Sequence, residues 1–162
     1  MRKLFAKRKP KPALHLGSIY IIVKDYRKSI DFYEKLLGIP LAFENAGRFA
    51  SFQFEGHQIC ILNGLFDSEN PDKVTRVDGE DGANALRDIA LAPNTHKFTF
   101  NFCVEDLRAS HERIKQLNIA EDLSKVNYFF YVSPYYSFTL HDPDGNTIEV
   151  TGRYTPEEHE FD

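Results

Sequence analysis

The chain has 162 residues, 42% of them hydrophobic, with 14 Phe, 8 Tyr, 2 Cys and a formal charge of −4. That length holds one ordinary domain with a sizeable core, and the apolar and aromatic content excludes a disordered chain. No apolar run reaches the ~18 residues that span a bilayer, so membrane insertion is excluded as well.

The first twelve residues, MRKLFAKRKPKP, hold six of the 20 Lys and Arg, leaving the other 150 with 14 cations against 24 acids, a formal −10. Pro10 and Pro12 follow the positive charge where a signal peptide needs an apolar stretch, so residues 1–14 read as a basic flexible tail. The acidic body is a poor surface for nucleic acid, which needs phosphate-neutralising cations. Cys60 and Cys103 both lie in strand-like runs without a CxxC pair, a usage that suits a reducing cytoplasm.

Ser18–Val23 alternates, so Ile19, Ile21 and Val23 face a helix while Ser18, Tyr20 and Ile22 face away. Asp25 then opens a helix with Ile30, Tyr33, Leu36 and Leu37 on one stripe. Gly38 ends it in the manner of a left-handed C′ residue, and Pro40 blocks continuation. Leu41–Glu44, Arg48–Phe54 and Gln58–Leu62 read as strands joined by the turns Asn45-Ala46-Gly47 and Glu55-Gly56-His57. Residues 64–95 break the pattern with seven acids, three glycines and two prolines. One short helix is expected there, near Ala83–Leu91, in a segment that links two halves and partly covers a cleft between them.

Lys97–Val104 is the next strand, with Phe98, Phe100 and Phe102 on the helix side and Thr99 and Asn101 opposite. Asp106 opens a second helix with Leu107, Ile114 and Leu117 inward. Asn127–Val132 and Ser137–His141 read as strands, Asp142-Pro143-Asp144-Gly145 as a turn, and Thr147–Thr151 as the last strand. The segment 153–162 ends acidic.

The two halves repeat each other. At an offset of 81 residues, Ser18–Leu37 and Thr99–Asn118 share Val23/Val104, Asp25/Asp106, Arg27/Arg108, Ser29/Ser110 and Leu36/Leu117. Internal repetition fixes architecture. The expected fold is α+β, two βαβββ modules with curved sheets around a cleft. Module one is 16–63, the acidic loop 64–95 and module two 96–152, within a single domain of residues 15–152.

The helix run KSIDFYEKLLGI (Lys28–Ile39) and the hairpin HDPDGNTIEV (His141–Val150) resemble the vicinal oxygen chelate superfamily of glyoxalase I, bleomycin-resistance proteins and extradiol dioxygenases. The likeness extends over Leu16–Gly152. It implies a glyoxalase-like protein binding a small molecule in the inter-module cleft, and by default a homodimer.

Metal-dependent members of that family place a His, Gln or Glu at four positions, on the first and last strand of each module. Carried onto this sequence, those positions are Ser18, either Cys60 or Ile61, Thr99, and Glu149. Hydroxyls are poor primary ligands for zinc, nickel or iron, so only Glu149 matches and no cofactor is expected. Without metal, Glu149 needs a cation, a hydroxyl or water, or must stay protonated. It is a candidate general base, with His141 a second candidate acid or base at the rim.

Ser18, Tyr20, Thr99, Asn101 and Thr139 are the expected ligand contacts. The acidic body and the aromatics Tyr20, Tyr128, Phe130 and Tyr136 suit a cationic or planar guest. The rival activity is a glyoxalase I-like isomerase or lyase, in which Glu149 removes a proton next to a carbonyl and a metal holds the enediolate. Of the remaining histidines, His57, His111 and His159 are expected in solvent, His96 at a strand mouth, and His15 ahead of the first strand.

Overall fold

Alternation and helical spacing give the main elements where the sequence places them, with shifts of up to three residues at their ends, the largest at the start of the strand expected from Ser137 and found from Pro134. The computed structural model describes residues 17–73, 82–93, 99–130 and 134–157. Module one runs β1 (Ser18–Val23), α1 (Tyr26–Leu37), β2 (Phe43–Asn45), β3 (Phe49–Phe54) and β4 (His57–Asn63). Next come α2 (Phe66–Glu69), a 3-10 turn (Pro71–Lys73) and α3 (Gly82–Leu91). Module two is β5 (Thr99–Val104), α4 (Leu107–Leu117), β6 (Asn127–Phe130), β7 (Pro134–His141) and β8 (Thr147–Gly152). The tail 1–14, His15, His96, His159 and residues 97–98 and 131–132 lie outside the described residues.

Each module forms a curved, open four-stranded sheet, in the orders β1-β4-β3-β2 and β5-β8-β7-β6. The duplication extends to register. β1 pairs with β4 in parallel from Ser18↔Gln58, and β5 pairs with β8 in parallel from Thr99↔Thr147.

Both long helices start on an Asp cap. Asp25 accepts from Lys28 N–H at 3.1 Å and Asp106 from Ala109 N–H at 2.9 Å, which satisfies one orphan donor each. α1 ends on Gly38 at φ 69°, whereas α4 ends on Asn118 at φ 49°.

A short stretch that the sequence does not announce is held by charge. The Arg48 guanidinium holds Asp67 on α2 with one hydrogen bond, Nη2 to Oδ2 at 2.9 Å, and an ion-pair contact of Nε at 2.8 Å from Oδ1, and the Asp67 carboxylate is buried. A hydrogen bond between charged partners is shorter and stronger than a neutral one.

Ile21, Val23, Ile59 and Ile61 of one sheet and Phe138, Leu140, Ile148 and Val150 of the other belong to one continuous core with α1 and α4 residues. The modules meet on this helix-facing side. Tyr33 packs on Phe100 at 6.5 Å between ring centres and Phe54 on Phe102 at 5.8 Å. Polar ties reinforce the seam. Tyr33 Oη donates to Asp142 at 2.8 Å, and Lys24 N–H and Ser29 Oγ donate to Asp144. From α4, Arg113 donates to the Lys35 and Leu36 carbonyls that close α1. Among the described residues no helix is long and apolar enough to cross a membrane.

Candidate functional site

Strand parity gives each sheet a second face, turned away from α1 and α4, and the cross-strand register orders its side chains in rows. On module two the rows are Thr99–Thr147–His141, Asn101–Glu149–Thr139 and Cys103–Thr151–Ser137. On module one the equivalent rows are Ser18–Gln58–Gln53, Tyr20–Cys60–Ser51 and Ile22–Leu62–Phe49. The expected contacts Ser18, Tyr20, Thr99, Asn101 and Thr139 therefore all lie on these faces. Of Cys60 and Ile61, Cys60 shares the face of Ser18 while Ile61 points into the core.

Glu149 has a partner that the sequence reading does not name. The Asn101 amide donates to its Oε2 at 2.7 Å from the neighbouring strand, and Glu149 is half-buried. Side chains directly opposite each other on adjacent strands are within reach by construction.

His141 has one too. Its Nδ1 meets one oxygen of Asp122 and its backbone N–H donates to the other at 3.2 Å. Burial acts to raise the Asp122 carboxyl, but the His141 hydrogen bonds outweigh it and hold the group below the usual carboxylate range. Asp122 reaches this spot because residues 122–124 run beside β7, where Ser124 N–H donates to the Thr139 carbonyl at 2.9 Å.

Three expectations are corrected by the geometry. His111 is not solvated: its Nε2 lies 2.9 Å from the Ser124 carbonyl and its ring packs edge-on against Phe138. Tyr136 and Tyr128 share the helix-facing parity of Phe138, not that of Glu149, and Tyr136 packs on Tyr154 at 5.2 Å. The Phe130 side chain lies outside the described residues. The aromatics that do stand on an open face are Tyr20, Phe49 and Phe43. Phe49 sits 6.3 Å from Tyr20 and 6.2 Å from Phe43.

The four family positions make a poor set for a divalent ion. Ser18 is a hydroxyl bonded to the Cys60 thiol; burial pushes that thiol up and the Ser18 bond opposes it only in part. Thr99 is a second hydroxyl. At the fourth position the Glu149 carboxylate receives an amide donor. Among the described residues no cluster of three His, Cys, Asp or Glu gathers around one point.

A family model described as the Glyoxalase/Bleomycin resistance protein/Dioxygenase superfamily matches residues 15–150. Solved structures share the fold. A lactoylglutathione lyase from Agrobacterium tumefaciens aligns with a TM-score of 0.57 at 18% identity, covering 88% of this chain and 96% of that one. A glyoxalase-related enzyme from Fulvimarina pelagi aligns at 0.58 and 14%, covering 86% and 88%. A glyoxalase/bleomycin resistance protein/dioxygenase from Alicyclobacillus acidocaldarius aligns at 0.53 and 20%, covering 87% and 92%. No curated protein matches the chain. At these identities the likeness is one of fold.

Proposed function

Because the chain belongs to the Glyoxalase/Bleomycin resistance protein/Dioxygenase superfamily, we propose that it is a metal-independent small-molecule-binding member. Its guest is held at the open face of module two. The observation that carries this reading is Glu149. It is the one carboxylate among the four family positions, and the neighbouring Asn101 amide donates to it at 2.7 Å. Around it stand hydroxyls on adjacent strands, a surface of hydrogen-bonding groups with one negative charge. Such a surface suits a cationic or polyhydroxylated guest.

In this reading Asn101 fixes the Glu149 carboxylate and leaves its second oxygen to accept from the guest. Thr139 and Thr99 flank it on the neighbouring strands, and the His141–Asp122 pair stands at the end of the sheet. A homodimer, the family default, would bring a second wall to the open face.

The rival lyase reading needs Glu149 as a base and an ion to hold the developing enediolate. The donor set offers no second carboxylate or imidazole at the family positions, which favours binding without that chemistry.

Elemental analysis of untagged protein, paired with titration of a flat aromatic cation, tests the proposal. The expected result is well under one divalent ion per chain and a binding signal that Glu149→Gln weakens about tenfold, some 1.4 kcal/mol. About one nickel, zinc or iron per chain, lost on Glu149→Gln, would overturn it. So would formation of lactoylglutathione by the metal-loaded protein.

A further inference from the structure

Large apolar side chains that cluster exposed around one concavity need a reason, because water-facing positions are readily filled with polar groups. Five stand out among the described residues, and three of them, Tyr20 at 61%, Ile89 at 54% and Leu91 at 59% exposure, line one groove. The groove has a volume of about 670 Å³ and wraps the outer edge of β1. Its walls come from three separate places: β1, the C-terminal end of α3, and Phe100 of β5 with the Asp142–Asn146 turn. Concavity built from three elements, at a volume inside the roughly 300–1,000 Å³ range of small-molecule sites, fits a small ligand better than a flat protein face.

The α3 wall is set firmly against β1. A methyl group added at Gly64 would stand 2.5 Å from Ala90 Cβ and 3.0 Å from Ile22 Cγ2, so the glycine is what lets the helix approach.

The mouth carries few free polar groups. Asp144 already accepts from Lys24 N–H at 3.1 Å and from Ser29 Oγ at 3.2 Å, and the Asn146 amide donates to Asp142. The exposed Lys24 ammonium makes no ion pair within 4 Å among the described residues, and its charge acts on the neighbouring Asp144 carboxylate, whose oxygens the seam bonds already hold.

We propose that this groove is a second binding site, for a flat aromatic ring bearing one negative charge. The ring lies against Tyr20, Ile89 and Leu91 and the anion reaches Lys24. A planar side chain on the floor favours an aromatic guest over an aliphatic one, through offset stacking. The ammonium supplies charge complementarity at one end only. This site does not involve Glu149, and its fate is independent of the binding reading above.

The test is fluorescence titration of the full chain with 1-anilinonaphthalene-8-sulfonate, which the absence of Trp leaves free of indole signal. One saturable site is expected. Lys24→Gln should weaken it about fivefold, and Tyr20→Ser or Leu91→Asn about tenfold or more, on the scale of one lost charge contact or one lost apolar anchor. Gly64→Ala, which pushes α3 outward, should also weaken it, while Glu149→Gln should leave it within about twofold. Circular dichroism and urea midpoints identify any variant that fails to fold, and the other two substitutions then decide.

Unchanged binding in folded Lys24→Gln and Leu91→Asn would overturn the proposal. So would tighter binding of the flat cation 9-aminoacridine by the Glu149→Gln variant, or displacement of the probe by decanoate at equal affinity. A wild-type dimer that Leu91→Asn converts to monomer would overturn it too, because a second copy would then cover the groove.

Discussion

Replacing Asp142 with Ala should cost about 3–5 kcal/mol of stability, more than any other single truncation of a polar side chain at the module seam. The side chain is 5% exposed and its carboxylate accepts four hydrogen bonds. Three come from its own turn: Asp144 N–H at 2.9 Å, Asn146 N–H at 2.8 Å and the Asn146 amide at 2.8 Å. The fourth comes from Tyr33 Oη of α1, in the other module. In Asp142→Ala the turn donors are half-buried and can recover water, so the loss there is one charge-assisted set worth roughly 1.5–3 kcal/mol. Tyr33 cannot recover. Its side chain is fully buried, and an unsatisfied buried hydroxyl costs about 1–3 kcal/mol more.

Burial first, and the Asp142 carboxylate second, already push the Tyr33 phenol far above its ordinary value, so it stays a donor throughout. Tyr33→Phe alone should cost about 1–2 kcal/mol, and the double variant less than the sum, with a coupling of ~1–2 kcal/mol. Urea unfolding with a constant m-value is the assay; at ~2 kcal/mol per molar, the Asp142→Ala midpoint should fall by about 2 M. A loss below ~1 kcal/mol, or strict additivity, would refute the view that this bond joins the modules.

Two further outcomes are expected from the same seam and from the helix ends. Burial, ahead of the opposing bond from Lys24 N–H, lifts the Asp144 carboxyl above the usual carboxylate range. A raised folded value means its contribution is full below about pH 3.9 and is lost as pH rises through the folded value. The stability of wild type relative to Asp144→Asn should therefore fall from acid toward neutral pH, and urea midpoints that rise instead would reverse the assignment. Asn118 holds the left-handed position that Gly38 holds in module one. Asn118→Gly should leave stability unchanged or raise it by up to ~0.5 kcal/mol, whereas Gly38→Ala should lower it by about 1 kcal/mol, both read by thermal unfolding.

Repetition made the fold legible. Once Ser18–Val23 and Thr99–Val104 are recognised as copies, parity alone places Ser18, Tyr20, Thr99 and Asn101 on faces turned from the helices. The structure has them there. Partners were harder, because they depend on register between strands distant in sequence. Asn101 and Glu149 are 48 residues apart and meet only after β5 and β8 pair. Asp122 sits in a loop with no periodicity, and its contact with His141 depends on that loop running along β7. Tyr128 and Tyr136 were misplaced because aromatic content was read without parity. Arg48 and Asp67 carry no local signal at all, since their pair closes a loop of 19 residues.

The divergence of the two copies bears most on function. Equivalent rows share a backbone and a register, so a difference in side chains between them is a difference in task. In module two every position of the middle row can hydrogen-bond, and Glu149 carries a charge. In module one that row holds Tyr20 over a buried Cys60, and the next holds Ile22, Leu62 and Phe49. A metal site built across two copies would draw carboxylate or imidazole from both, and at the matching places module one has a hydroxyl and a buried thiol. Cys60 lies opposite Tyr20 on the neighbouring strand. Ser18→His with Cys60→Glu, which puts a carboxylate beneath the Tyr20 ring, should therefore introduce divalent-metal affinity at the expense of apolar-ligand binding. Calorimetric titration with zinc alongside the aromatic probes measures both, and a variant that gained metal while keeping full probe affinity would separate the two tasks.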